Sequence, residues 1–170
     1  MRTVYWDVDT QLDFISPGGA LYVPGAEHVI AEVARLNHFA SKNGIPLVST
    51  MDAHPENDIE FATWPPHCIA GTLGQRKPAE TLCANQIIFE KVTTDAFLNP
   101  AIHSLLRELA AEKFVVYGVV TEVCVRHAAL GLLKTGAKVE LATNAIRHLT
   151  DIARDQFYAE FRAAGGVLIS

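Results

Sequence analysis

The segment YGVVTEVCVRHAAL, residues 117–130, carries a cysteine where an apolar, β-branched run gives way to helical spacing. Cys124 is open to three readings there: a small core residue, a redox thiol or a nucleophile. If FVVYGVV is a strand and the residues after it open a helix, the thiol lies in the first helical turn. Unpaired N–H groups and the helix dipole favour a thiolate at that place. The same N–H groups could hold the oxyanion formed when a thiolate attacks a carbonyl. A nucleophilic cysteine also needs a partner that accepts its proton. No histidine is obviously placed at a neighbouring strand end, which leaves Asp9 and Lys91 as the candidates.

A second group has the composition of a metal site. Asp52 and His54 form a D-x-H pair at a strand end, where alternate residues point the same way. His67 follows 13 residues later in WPPH. One aspartate and two histidines suit zinc or iron(II), with further positions open to water or substrate. Cys68 adjoins His67, but a neighbouring residue rarely reaches the same ion, so it reads as packing, as does Cys83. Asp13 reads as a structural carboxylate that orders its loop.

These residues need elements to position them. TVYWDV, PLVST, QIIFE, FVVYGVV, KVELA and VLIS read as strands. Between them the spacing predicts a helix from about Ala26 to Asn43, stopped at Gly44, and another through Ile102, Leu105, Leu106 and Leu109. Val125, Ala128, Ala129, Leu132 and Leu133 mark a third, and DIARDQFYAEFRAA a fourth. Strand and helix alternate throughout, which predicts a three-layer, Rossmann-like α/β fold with a parallel sheet of about six strands and helices on both faces. Residues 52–80 carry Pro, His, Trp and Gly without a period, and a connection that long in a compact domain is usually functional. Ligands in such folds gather at the carboxyl ends of the strands. That selects Asp7 to Asp13, Asp52 to His54, Lys91 and Cys124.

Composition narrows the class. The 170 residues are expected to form one domain, 1–170, and the charged fraction of 19% is that of an ordinary globular protein. A net charge of −5 with no basic stripe speaks against nucleic acid. No apolar run reaches membrane-spanning length and no signal-peptide pattern opens the chain. Three cysteines without a CxxC pair point to a reducing compartment, the cytoplasm, rather than a disulfide framework.

The motifs D9-T-Q-L-D-F14, K91 after a strand, and G118-V-V-T-E-V-C124-V together resemble the isochorismatase-like cysteine hydrolases, over nearly the whole chain. The resemblance implies a catalytic triad of Asp9, Lys91 and Cys124, with Asp9 as the base and Lys91 holding it. It also implies a cis peptide between Val119 and Val120, with the N–H groups of Val120 and Cys124 as oxyanion hole. D-x-H with WPPHC resembles the nicotinamidase (pyrazinamidase) branch, whose metal binds the pyridine nitrogen of the substrate. That adds Asp52, His54 and His67 as ligands of zinc or iron(II), with manganese a further candidate, and Phe14 and Trp64 as ring-stacking positions. Some branch members have another histidine six residues after that of D-x-H; here Glu60 stands there, as a ligand, a neighbour acting through water, or neither. Asn144 lies after the fifth strand, where the family often has aspartate. The implied activity is hydrolysis of a small-molecule amide, nicotinamide first, by a homo-oligomer. Another carbon–nitrogen hydrolase acting on carbamoyl or ureido substrates, and a non-catalytic metal-binding protein of this fold, stand as alternatives.

Overall fold

A computed structural model describes all 170 residues. Six strands form one sheet: β1 (Thr3–Val8), β2 (Leu47–Asp52), β3 (Gln86–Lys91), β4 (Lys113–Val119), β5 (Lys138–Arg147) and β6 (Val167–Ile169). Every neighbouring pair is parallel, in the order β3-β2-β1-β4-β5-β6. The chain leaves the central strand β1 towards one edge and returns through β4 towards the other. Strand order therefore reverses between β1 and β4, which opens a crevice at their carboxyl ends. β4 is buried along almost its whole length, which explains its unbroken apolar run.

Five helices accompany the sheet: α1 (Leu12–Ile15), α2 (Ile30–Lys42), α3 (Ala101–Leu109), α4 (Arg126–Leu133) and α5 (Asp151–Ala163). α2 packs on β1, β2 and β5, together with the short turn Ala79–Thr81. α4 packs on β4, β5 and α5, and α5 also on β6. Right-handed crossovers dictate this division, because the chain moves in opposite directions on the two sides of β1. The predicted layers are therefore present. Three details differ. The first turn of the expected helix at Ala26 is a 3₁₀ turn, Ala26–Val29, and the α-helix begins at Ile30. α1 spans only four residues, too few to show a helical period. β5 continues past the expected KVELA to Arg147, because a register shift between Val116 and Gly118 lets β4 stay paired with it. Asn144 thus lies inside β5, not after it, and its amide donates to Glu32 Oε1 of α2 at 2.9 Å.

One buried polar network ties the layers together. Asp7 of β1 is wholly buried, and its Oδ2 accepts from Asn37 Nδ2 of α2 at 2.9 Å and Ser49 Oγ of β2 at 3.1 Å. Thr10 Oγ1 donates to Oδ1 at 2.8 Å. The Lys77 ammonium, 2.8 Å from Asp7 Oδ2, brings the long connection between β2 and β3 onto the same carboxylate. Lys77→Met leaves Asp7 charged and unpaired in the interior, so it is expected to cost about 3–5 kcal/mol in chemical denaturation. Arg126→Ala, which breaks an exposed pair with Glu160, is expected to cost less than about 1 kcal/mol in the same assay.

Candidate active site

Three strand ends bring Asp9, Lys91 and Cys124 together in the β1–β4 crevice. Asp9 directly follows β1 in a left-handed conformation, φ +49°, which a short polar side chain tolerates better than most. Its N–H donates to Thr50 O at 3.1 Å, and Thr50 Oγ1 donates to Asp9 Oδ1 at 2.7 Å. Lys91 closes β3, beside Asp52 in register, and extends its side chain over β2. Its Nζ lies 2.8 Å from Asp9 Oδ2 and also donates to Asp52 Oδ1. Asp9 Oδ2 makes no well-directed hydrogen bond, despite that proximity, and keeps a lone pair free. Cys124 lies in a π-helical turn, Thr121–Val125, between β4 and α4. Its thiol is close enough to the Asp9 carboxylate and the Lys91 ammonium for both to act on it.

Burial governs the charges of these groups. It raises the Asp9 carboxyl, Lys91 opposes, and the nearby Asp52 carboxylate raises it further. Burial would lower Lys91, but Asp9, Cys124 and Asp52 together hold its ammonium well above the ordinary lysine value. The Cys124 thiol is raised well above its ordinary value, by burial first; Lys91 counteracts this, and the Asp9 and Asp52 carboxylates add to it. Burial and two carboxylates thus act against the thiolate that the helical turn favours, and Lys91 acts for it.

The backbone before Cys124 is also specialised. The peptide bond between Val119 and Val120 is cis. Gly118 precedes it at φ +117°, where a Cβ would lie 2.1 Å from Val8 O, so only glycine lets β4 approach β1 this closely. The Val120 N–H has no acceptor within the protein. It sits on the pocket wall beside Cys124.

Asp52, His54 and His67 form the second half of the site, with donor atoms all within 4.8 Å of one another and all three residues buried. His67 returns to His54 through a parallel bridge, in which His54 N donates to Cys68 O and Ala70 N to His54 O. Asp13 fastens this return: its Oδ2 accepts from Cys68 N at 2.7 Å and its Oδ1 from Ala20 N at 3.0 Å. His54 Nδ1 lies 2.9 Å from Asp58 Oδ2, and His67 Nδ1 lies 2.7 Å from Pro65 O. Each acceptor requires a hydrogen on Nδ1, which in the neutral ring leaves Nε2 as the lone-pair nitrogen; both Nε2 atoms lie 3.7 Å from Asp52 Oδ2. His54 Nε2 is buried without any hydrogen-bond partner. Burial disfavours charge on His54, yet the Asp52 and Asp58 carboxylates raise it. Two free imidazole nitrogens, one carboxylate oxygen and an environment that favours positive charge fit a divalent metal ion.

Both groups face one pocket with about 520 Å³ of empty space. Cys124, Val120 and Val123 line it together with Asp52, His67, Glu60, Phe14 and Trp64. Phe14 is 5% exposed and packs in the core as well as on the pocket, its ring 5.4 Å from that of His67. Trp64 is half-buried in the rim. Glu60 is on the wall but outside the Asp52–His54–His67 group, and its carboxyl is raised, by burial and then by Asp52. Sequence reading missed three contributors. Thr50 orients Asp9, and Gln11 clamps the end of β2, accepting from Asp52 N at 2.7 Å and donating to Asp52 O at 2.8 Å. Asp58 holds His54. Only Gln11 had a signal, as the next in an alternating series of polar residues after β1.

The comparisons with known proteins agree with this geometry. The Escherichia coli (strain K12) nicotinamidase is 27% identical over 195 residues, covering 95% of this chain and 91% of the relative. The crystal structure of the pyrazinamidase of Pyrococcus horikoshii in complex with zinc superposes with a TM-score of 0.93 at 29% identity, over 100% of this chain and 99% of that one. The structure of PnC1 from L. infantum in complex with nicotinate superposes at 0.86 with 30% identity, over 99% and 92%. Residues 7–170 match the isochorismatase domain, and the chain belongs to that family.

Proposed function

We propose that this chain is a metal-dependent cysteine amidohydrolase that converts nicotinamide and water to nicotinate and ammonia. The observation that carries the reading is the shared pocket, lined by Cys124 and by Asp52 and His67 of the Asp52–His54–His67 group. A flat heteroaromatic amide that spans the two would present its carboxamide to sulfur and its ring nitrogen to the metal, between Phe14 and Trp64. The acidic and basic residues of the lining are Asp52, Glu60 and His67, without lysine or arginine. That suits a neutral amide better than a carbamoyl or ureido substrate bearing a carboxylate, which would need a cationic partner. The proximity of Asp9, Lys91 and Cys124 speaks against a catalytically idle protein.

In this mechanism Asp9 Oδ2 takes the Cys124 proton as sulfur attacks the carboxamide carbon. The oxyanion is held by the N–H groups of Val120 and Cys124. Asp9 returns the proton to the departing nitrogen, ammonia leaves, and a thioester remains. Asp9 then takes a proton from water, which attacks the thioester carbon; collapse expels sulfur, which recovers the proton, and nicotinate forms. Lys91 keeps Asp9 in place and compensates the negative charge. Asp52, His54 and His67 would hold zinc or iron(II), with manganese a further candidate, which supplies a Lewis acid for the pyridine nitrogen. Glu60 borders that group as a direct or water-mediated contact. No helix is long and apolar enough to cross a membrane. Exposed Ile88, Val92 and Leu98 at and after the open edge β3 support a homo-oligomer, and the three free cysteines support a cytoplasmic setting.

Two measurements test the reading. Cys124→Ala is expected to lower ammonia release from nicotinamide by at least about a thousandfold with the fold intact, because the two-step route loses its first step. Cys68→Ala is expected to retain most activity, since burial pushes that thiol far up and it does not line the pocket. A Cys124→Ala variant with more than a few per cent of wild-type rate (about 3% or more) would refute the nucleophile.

Metal removal separates placement from chemistry. A chelator, or His54→Ala, is expected to raise KM or abolish nicotinamide turnover, while alkylation of Cys124 by iodoacetamide, followed by peptide mass spectrometry, changes far less. Benzamide has the carboxamide without the ring nitrogen and is expected to be poor with or without metal. Equal hydrolysis of benzamide and nicotinamide would point instead to the carbamoyl or ureido class.

A further inference from the structure

Asp58 lies outside both the metal-binding group and the pocket lining, yet each of its carboxylate oxygens has a defined partner. Oδ2 is 2.9 Å from His54 Nδ1. Oδ1 accepts from Glu60 N at 2.9 Å and so caps the 3₁₀ turn Ile59–Ala62. A carboxylate accepts hydrogen bonds, so Nδ1 carries the hydrogen, and in the neutral ring that binds a metal Nε2 is then the nitrogen with the lone pair. His54 Nε2 is the buried, unpartnered nitrogen that faces Asp52. The capped turn carries Phe61, whose ring packs 5.3 Å from that of His54.

His67 makes a useful contrast. Its Nδ1 meets a neutral carbonyl, Pro65 O, which fixes the tautomer without adding charge. His54 instead meets a carboxylate, which also makes the imidazole a stronger donor to a cation. Rotation of the His54 ring is opposed on two sides, by Asp58 at Nδ1 and by Phe61 against its face.

We infer that Asp58 is a positioning residue for the metal, holding His54 in the Nδ1–H tautomer and coupling that ligand to the turn that bears Glu60. The inference rests on the metal reading above, so its test measures zinc binding to the metal-free protein without substrate. Asp58→Asn separates the two oxygens. Its amide oxygen can still cap Glu60 N–H, but its NH2 group opposes Nδ1–H, donor against donor. Asp58→Ala removes both contacts. Zinc affinity, read by competition with a chromophoric chelator, is expected to fall by roughly 10–100-fold in Asp58→Asn and at least as far in Asp58→Ala. The unfolding midpoint of metal-free Asp58→Asn should stay within about 3 °C of wild type, and Cys124 alkylation should be unchanged. Wild-type affinity in Asp58→Asn with loss only in Asp58→Ala would reduce Asp58 to a turn cap and overturn the inference. A loss beyond about a thousandfold would make Asp58 itself a ligand and overturn it equally. If wild-type protein binds no zinc, iron(II) or manganese, the metal reading falls, and this inference with it.

Discussion

The Lys91 ammonium, set between the carboxylates of Asp9 and Asp52, is the interaction on which the rest of the site depends. Burying one ion costs several kcal/mol even after relaxation, and here three are buried at adjacent strand ends. The arrangement is tolerable because the single cation serves both anions. It also divides Asp52 between two tasks: Oδ1 faces Lys91 while Oδ2 faces the two histidines. Burial would raise the Asp52 carboxyl, but Lys91, with His54 and His67, holds it far below its ordinary value. The proposed nucleophilic half and the proposed metal half are therefore one electrostatic unit. A change that moved Lys91 would be felt by the thiol and by the metal group together.

The segment from Asp7 to Asp13 is the template against which this unit is assembled. Its odd-numbered residues each hold a different part of the chain. Asp7 takes Asn37, Ser49 and Lys77; Asp9 takes Thr50 and Lys91; Gln11 takes the backbone of Asp52 and, at 2.8 Å, Gln75 O; Asp13 takes Cys68 N beside His67. Backbone contacts add to this, with Leu12 N donating to Arg76 O and Asp13 N to Gly74 O. Gly74 is where this docking is closest: a Cβ there would lie 2.1 Å from Asp13 Oδ2. The long connection after β2 has little regular structure of its own, so its shape is borrowed from β1 and the residues that follow it.

That borrowing explains which parts were legible in the sequence. Strands buried on both faces announce themselves as apolar runs, and β4 with Cys124 after it could be placed from pattern alone. Asp52, His54 and His67 could be grouped by residue chemistry, although the bridge that returns His67 to His54 has no local signature. Asp58 could not be found, because an aspartate in a polar loop looks the same whether it caps a turn, orients a histidine or faces solvent. Thr50 was hidden inside a strand, where a threonine is expected for its β-branch. Asn144 was misplaced for a related reason: strand length depends on the partner's register, and the shift between Val116 and Gly118 is not written in the composition of β5.

The state of the Cys124 proton shows how the parts combine. Burial raises both the thiol and the Asp9 carboxyl, and Lys91 opposes both shifts. Asp9 is the carboxylate beside the thiol, so in the proposed mechanism the proton need not leave the site for sulfur to react; it has only to cross from Sγ to the carboxylate. In the proposed mechanism attack coincides with proton transfer to Asp9, and negative charge passes from carboxylate through sulfur to the carbonyl oxygen. Cys68 offers a comparison. It is also buried, and its thiol is also pushed up, but its only hydrogen-bond acceptor is Gly74 O at 3.9 Å. The carboxylates of Asp52, Asp13 and Asp9 add to that burial and Lys91 opposes it, as at Cys124, so what sets the proposed nucleophile apart is its place on the pocket, which Cys68 does not line.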